Sequence, residues 1–293
     1  MIERVSYFSK RHVWLRVWAF CMSLSWFAVS ADAAPVEVAV SIPPQAFLVE
    51  RLAGAFAHVV VMMPPGSSHE SYTPTPRQMM ALADAPLYVA VGHPHFAFEA
   101  HHIFPLLAKQ PKTKIINTTT LTKNLASDAK LQDDPHLWTA PRVMEMVARE
   151  IAVTLAQIDP AHTRQYENNL QQLLAEIDEL DRSIVASWAT AQGYRVYVYH
   201  SAWAYLASQY GFEQVALENG DKAPSPERLV TLMRAAQRQG VKVIYVEKGV
   251  SPKSAVMFAN EIHAEVLELD PIGYDWLANT RHVAQALRRG AVP

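Results

Sequence analysis

DPAHTRQYENNLQQLLAEIDELDRSIVASWATAQG, residues 159–193, is the stretch that decides the fold. Apolar residues recur at Tyr166, Leu170, Leu173, Leu174, Ile177, Leu180, Ile184, Val185 and Trp188. This three-and-four spacing puts them on one buried helix face. Asp159 before Pro160 gives a cap followed by a first-turn proline, and Gly193 lies just past the end. No glycine or proline interrupts residues 161–192, so the pattern predicts about thirty continuous helical residues, roughly 45 Å long at about 1.5 Å per residue. A helix of that length can run the whole extent of a two-lobed molecule. It also resists hinge opening more than a Gly-rich linker does.

On either side of this helix, short β-branched runs alternate with longer amphipathic stretches. Before it come Val36–Val40, Val59–Met63, Leu87–Val91 and Lys114–Ile116, and after it Val196–Tyr199, Gln214–Leu217, Val241–Val246 and Val266–Leu269. Strands alternating with helices at this spacing imply mostly parallel sheets with crossover helices. The expected fold is therefore α/β, with two α/β lobes joined by one long backbone helix. The expected division is a first lobe at 34–158, a linking helix at 159–192 and a second lobe at 193–293. No internal repeat is visible in the sequence.

Composition narrows the function. The chain has 293 residues, half of them hydrophobic and 18% charged, which suits a packed globular protein rather than a disordered one. With 26 basic against 28 acidic residues there is no positive excess to neutralise phosphates, so nucleic acid is not an expected partner. The one cysteine, Cys21, excludes cysteine-rich zinc modules, iron–sulfur clusters and an internal disulfide. Arg4, Lys10, Arg11 and Arg16 precede an apolar run, Val17 to Val29, that is short for a bilayer span of about 20 residues. Ala31-Asp32-Ala33 then places small residues where a signal peptidase cuts. Residues 1–33 are read as a cleaved secretory signal, with a short membrane anchor as the alternative. Cleavage leaves 22 basic and 26 acidic residues and no cysteine. That suits an oxidising compartment, and any metal in the mature chain must then be held by nitrogen and oxygen.

In open α/β sheets, ligands sit beyond the carboxyl ends of the strands. His69 follows Val59–Met63 across a Pro-Pro-Gly-Ser-Ser turn, His200 directly follows Val196–Tyr199, and Asp270 directly follows Val266–Leu269. A fourth residue, His136, lies in Asp133-Asp134-Pro135-His136-Leu137-Trp138, just before the helix that Pro141 begins. Two come from each half of the chain, so they can meet only in a cleft between lobes. Three imidazoles and one carboxylate suit a borderline divalent cation such as Zn²⁺, with Mn²⁺ and Fe²⁺ also compatible. Catalysis has little support. His69-Glu70 is not followed by a second histidine four residues on, four protein ligands close the position that a hydrolytic water needs, and no nucleophile elbow, phosphate loop or dinucleotide fingerprint is present.

At these residues the chain resembles the metal-specific solute-binding proteins of ABC importers, the zinc and manganese cluster. The landmarks are Pro65-Gly66-Ser67-Ser68-His69-Glu70-Ser71-Tyr72, Asp134-Pro135-His136-Leu137-Trp138, His200-Ser201-Ala202-Trp203-Ala204-Tyr205-Leu206 and Leu269-Asp270-Pro271, in the family's order, with the long helix between the second and third. The resemblance runs from about Pro35 to Leu287. It implies two lobes joined by a rigid helix, one ion in the cleft, and His69, His136, His200 and Asp270 as its ligands. Histidine at the third ligand position is the zinc-type pattern, where manganese-type members often carry glutamate. The function implied is periplasmic capture of Zn²⁺ and delivery by a monomer to an inner-membrane ABC permease. The alternatives are a manganese- or iron-binding homologue, a metal-dependent adhesin and, last, a secreted metallohydrolase.

One departure stands out. Many zinc-type members carry a long His- and Asp-rich insertion after the first ligand, and here it is missing. Instead His93, His95, His101 and His102 cluster after Leu87–Val91. They read either as a secondary metal site or as the polar start of a helix at the cleft rim. Trp138, Trp203 and Tyr205 are candidates to wall the ion from water, or plain core. Glu247, ending Val241–Val246, is a candidate acceptor that orients a ligand imidazole, or a capping or ion-pairing residue. Ser225 before Pro226 reads as a helix cap.

Overall fold

The computed structural model describes residues 34–67, 72–125, 129–218, 223–249 and 252–293. The proposed signal at 1–33 and the candidate ligand His69 lie outside the described residues. The described strands form two four-stranded parallel sheets. In the first, β1 (Val36–Val40), β2 (Ala57–Val61), β3 (Leu87–Ala90) and β4 (Lys114–Asn117) lie in the order β2-β1-β3-β4. In the second, β5 (Arg195–Val198), β6 (Glu213–Ala216), β7 (Val243–Glu247) and β8 (Glu265–Leu269) lie in the order β6-β5-β7-β8. All eight runs read from the sequence are strands, displaced by at most two residues. The shared strand order was invisible in the sequence, because topology can repeat where side chains do not. In each sheet the chain leaves the first strand for one edge and returns to the other side. The gap between β1 and β3, and that between β5 and β7, are therefore the switch points where such sheets place ligands.

The helices used below are α1 (Pro43–Ala53), α2 (Pro76–Asp84), α3 (Pro141–Ile158), α4 (Thr163–Trp188), α5 (Ala204–Tyr210), α6 (Pro226–Gln239), α7 (Lys253–Ile262) and α8 (Trp276–Gly290). The long helix, α4, starts later and ends sooner than its pattern suggests. Pro160–His162 forms a separate tight turn, because the Asp159 carboxylate takes hydrogen bonds from His162 Nδ1 and the Tyr166 hydroxyl, both at 2.6 Å. Its buried stripe is also narrower. Tyr166, Leu173, Ile177, Leu180, Ile184 and Trp188 are buried, whereas Val185 is half exposed. Each of those buried side chains contributes ~1.5–3 kcal/mol by leaving water.

That stripe ties the two halves to one strut. α1 and α3 cover it from the first half and α8 from the second. Polar contacts repeat the pattern. Arg51 on α1 forks onto Glu176 at 2.6 and 3.0 Å, Asn169 donates to Leu52 O at 2.7 Å, and Arg288 on α8 donates to Ser187 O at 3.0 Å. Direct bonds also join the halves. Trp138 Nε1 donates to Pro271 O at 2.7 Å, Trp276 Nε1 to Trp138 O at 2.8 Å, and the Tyr205 hydroxyl to Leu131 O at 2.7 Å. Ser225 caps α6 as its sequence predicts, accepting from Arg228 N at 3.3 Å. Among the described residues no helix is long and apolar enough to cross a membrane.

Candidate metal centre

His136 is the last residue before a one-turn helix, Leu137–Thr139, which leads through Ala140 to α3. The proline before it and the aspartate two residues back give it a fixed posture. Asp134 Oδ1 accepts from both His136 N and His136 Nδ1 at 2.8 Å. A carboxylate oxygen accepts, so the imidazole donates from Nδ1 and turns Nε2 away from Asp134. The pair is deeply buried, with side chains 5% and 6% exposed. The other carboxylate oxygen, Asp134 Oδ2, is buried without a hydrogen-bond partner. A negative group so placed favours a cation on the far side of the ring.

His200 reaches the same place by another route. It lies two residues beyond β5, and its Nδ1 donates to Glu218 Oε2 at 2.8 Å, again directing Nε2 outward. Glu218 lies two residues beyond β6, and the ladder carries on past the strands, with Leu217 N on Val198 O at 2.9 Å and Glu218 N on Tyr199 O at 3.0 Å. This pair is more open, with side chains 17% and 14% exposed. The two imidazoles stand almost perpendicular with ring centroids 5.1 Å apart.

Glu247, the last residue of β7, completes the group. One ligand atom each from His136, His200 and Glu247 lies within 4.8 Å of the others. A tetrahedral zinc with bonds near 2.0–2.1 Å sets its ligand atoms about 3.3 Å apart, so small side-chain movements close this set on a cation. Glu247 therefore stands among the candidate ligands, while orientation of the imidazoles falls to Asp134 and Glu218. The sequence carried a signal for both: Asp134 precedes His136 at a spacing that lets one carboxylate take its N–H and its Nδ1–H, and Glu218 sits just past a strand end, as His200 does.

Of the residues named from the sequence, His136 and His200 are brought together. Asp270 is next to the group but not in it. Its register neighbour Leu269 pairs with Glu247, and its own carboxylate accepts from Ile272 N at 3.0 Å and lies 3.8 Å from Lys248 Nζ. Trp138 packs beside His136, its ring centroid 5.2 Å from that of His136 and 5.8 Å from that of Phe96. Trp203 and Tyr205 are buried, Trp203 N donating to Gln214 Oε1 at 2.7 Å. The second histidine cluster is not a metal group among the described residues. His93 spends both ring nitrogens on protein partners, His95 donates to the Asp133 carbonyl, and His101 and His102 sit on a wide helical turn, Glu99–Ile103, with ring centroids 6.5 Å apart.

Comparison with known proteins follows the same lines. The model of the ZnuA family, the periplasmic component A of zinc-uptake complexes, matches residues 38–290. The high-affinity zinc uptake system protein ZnuA of Bacillus subtilis (strain 168) is 31% identical over 141 residues, 47% of this chain and 44% of that protein. The match thus spans less than half of that relative. A crystal structure of ZnuA aligns with a TM-score of 0.77 and 31% identity, over 87% of this chain and 99% of the other. A zinc-bound deletion mutant of ZnuA aligns with a TM-score of 0.79 and 32% identity, over 87% and 98%.

Proposed function

The chain belongs to the ZnuA family of periplasmic zinc-uptake components, and from that membership we propose that it captures Zn²⁺ between its two sheets and hands it to the permease of an ABC importer. The observation that carries this reading is the convergence of His136 and His200 from opposite halves of the chain. Each is held at Nδ1 by a carboxylate, and both meet the Glu247 carboxylate. Metal-binding histidines are oriented by such acceptors, which fix the tautomer and raise the basicity of the ligating nitrogen.

The proposed ligand set is His69, His136 and His200 with a carboxylate from the second sheet. Asp270 is the carboxylate named from the sequence, and Glu247 is the one that the geometry places beside both imidazoles. Their strand ends are neighbours, so the two are separated by comparing Glu247→Gln with Asp270→Asn. Residues 1–33 are proposed as the export signal and the mature protein as a monomeric carrier without catalytic activity.

Elemental analysis of protein purified without added metal, followed by competitive titration with zinc and manganese, tests the reading. Zinc is the expected cargo. Structural zinc is worth about 10–16 kcal/mol in total, so His136→Ala or His200→Ala is expected to cost several kcal/mol of affinity. Titrations unchanged in both variants exclude this site. Because imidazoles ligate only when deprotonated, affinity is also expected to fall on acidification.

A further inference from the structure

His93 and His95 were conspicuous in the sequence, and the metal site does not use them. Gly92 turns the chain at the end of β3 with φ +74°, where a Cβ would fall 2.2 Å from Asn117 Oδ1, and this delivers His93 into the interior. There His93 Nδ1 accepts from His95 N at 3.1 Å, and Nε2 lies 2.8 Å from Gln132 O. A backbone N–H needs an acceptor and a carbonyl needs a donor, so the ring is neutral with its proton on Nε2. Burial, the largest influence, lowers its pKa and keeps it so.

Gln132 ends a single helical turn, Ala129–Gln132, and Leu131 O also accepts from Asp134 N at 3.3 Å. Side chains from elsewhere take the carbonyls of Leu131, Gln132 and the following Asp133 in succession. The Tyr205 hydroxyl donates to Leu131 O at 2.7 Å, His93 Nε2 to Gln132 O at 2.8 Å and His95 Nδ1 to Asp133 O at 3.0 Å. The next residue is Asp134, whose carboxylate sets His136. Tyr205 reaches in from the second half of the chain, whereas both histidines come from the end of β3.

We propose that His93 is a positioning residue for cation capture, its imidazole fixing the Gln132 carbonyl and thereby the segment that presents Asp134 and His136 to the ion. This rests on the reading of the metal centre given above. His93 touches no cation and acts only through the backbone of residues 131–136. A metal site tolerates little slack, since a ligand displaced by about 1 Å loses much of its bond.

The test compares His93→Asn with His93→Gln in the full chain. The Asn amide replaces Nδ1 as acceptor for His95 N and leaves nothing at the Nε2 position. The Gln amide nitrogen reaches that position and donates to Gln132 O. Zinc affinity is read by chelator competition, ligand geometry by the visible spectrum of the Co²⁺ form, and folding by thermal unfolding of the metal-free protein. Expected are about tenfold weaker zinc binding and a shifted Co²⁺ spectrum for His93→Asn, and zinc affinity within about threefold of wild type for His93→Gln. Unchanged affinity in His93→Asn, or equal losses in both, overturns the proposal. His136→Ala, run alongside, separates the two layers. If it binds zinc as wild type does, the metal centre itself is wrong, whereas a loss there with none in His93→Asn removes only the positioning role.

Discussion

The two sheets repeat one strand order, yet their switch points hold opposite chemistry. Between β1 and β3 lies Glu99, fully buried, its carboxylate accepting from Val91 N at 2.8 Å, Gly92 N at 2.7 Å, the Tyr88 hydroxyl at 3.3 Å and the Ser41 hydroxyl. Between β5 and β7 lie His200 and Glu247, facing His136 across the halves. Both places contain a carboxylate. In the first sheet, donors from the protein itself surround it, and the switch point is sealed. In the second, its neighbours are two imidazoles, each held at Nδ1 by a carboxylate, and nitrogen and carboxylate donors together suit a divalent cation. Topology supplies the location, and the polarity of the surrounding groups decides between a structural plug and the proposed metal site.

Exchanging the two losses gives the largest test of that contrast. Glu99→Ala leaves Val91 N and Gly92 N without their acceptor, at about 1–3 kcal/mol each before water or repacking compensates, while the Ser41 and Tyr88 hydroxyls keep their bond to each other and Ser41 its bond to Val89 O. A net loss of about 4 kcal/mol is expected in denaturant unfolding of the metal-free protein, with zinc affinity of the folded fraction within about threefold of wild type. Glu247→Gln is expected to do the reverse, weakening zinc about 100-fold while moving metal-free stability by under about 1 kcal/mol, in keeping with its half-exposed strand end. Losses of both kinds in both variants would mean that the two places are one coupled unit.

A somewhat smaller effect separates them by pH. Burial raises the Glu99 pKa from 4.5 to about 7, against four hydrogen bonds that pull it down. Between those values the folded protein keeps a proton that the unfolded chain has released, so stability falls as pH rises from about 4.5 to about 7 and stays at its lower level above that. The shift corresponds to roughly 3 kcal/mol. Glu99→Gln cannot ionise, and its unfolding free energy should lack this descent. The His93 contribution runs the other way, since its lowered pKa costs stability as pH falls below 6.5, but it is common to both proteins and cancels in their difference. Parallel pH profiles for wild type and variant would show that Glu99 is ionised throughout.

Legibility follows the same division. Every described strand and the long helix were readable, because short β-branched runs and a 3.6-residue period record burial locally. His136 was readable for a similar reason, its orienting Asp134 lying two residues away in the same loop. The second half of the site is assembled from three strand ends: His200 after β5, Glu218 after β6 and Glu247 on β7. Which of the polar residues at those ends converge depends on strand order and register, and neither leaves a periodic trace. Asp270 follows β8 and Glu247 ends the neighbouring β7, so the choice between these two carboxylates is of that kind. Glu99 was hidden altogether, since a buried carboxylate looks like any surface glutamate until its donors are known.

The difference in construction between the two histidine holders predicts the smallest effect. Asp134 and His136 form a contiguous, buried pair, and the Asp134 carboxylate serves both the backbone and the ring of its partner. Glu218 makes one bond to His200 at a more open place, although Arg228 pins the strand end behind it, donating to Ala216 O at 2.8 Å, Leu217 O at 2.9 Å and Glu218 O at 3.3 Å. Loss of an orienting acceptor typically costs 10–100-fold in metal affinity. Asp134→Ala belongs at the upper end, because a dry cavity leaves His136 Nδ1–H unpaired. Glu218→Ala belongs near tenfold, because water replaces the lost acceptor and Arg228 still holds the backbone. Chelator competition measures both. Equal losses would mean that burial does not set the cost, and a larger loss at Glu218 would reverse the assignment of the first half as the more rigid wall of the site.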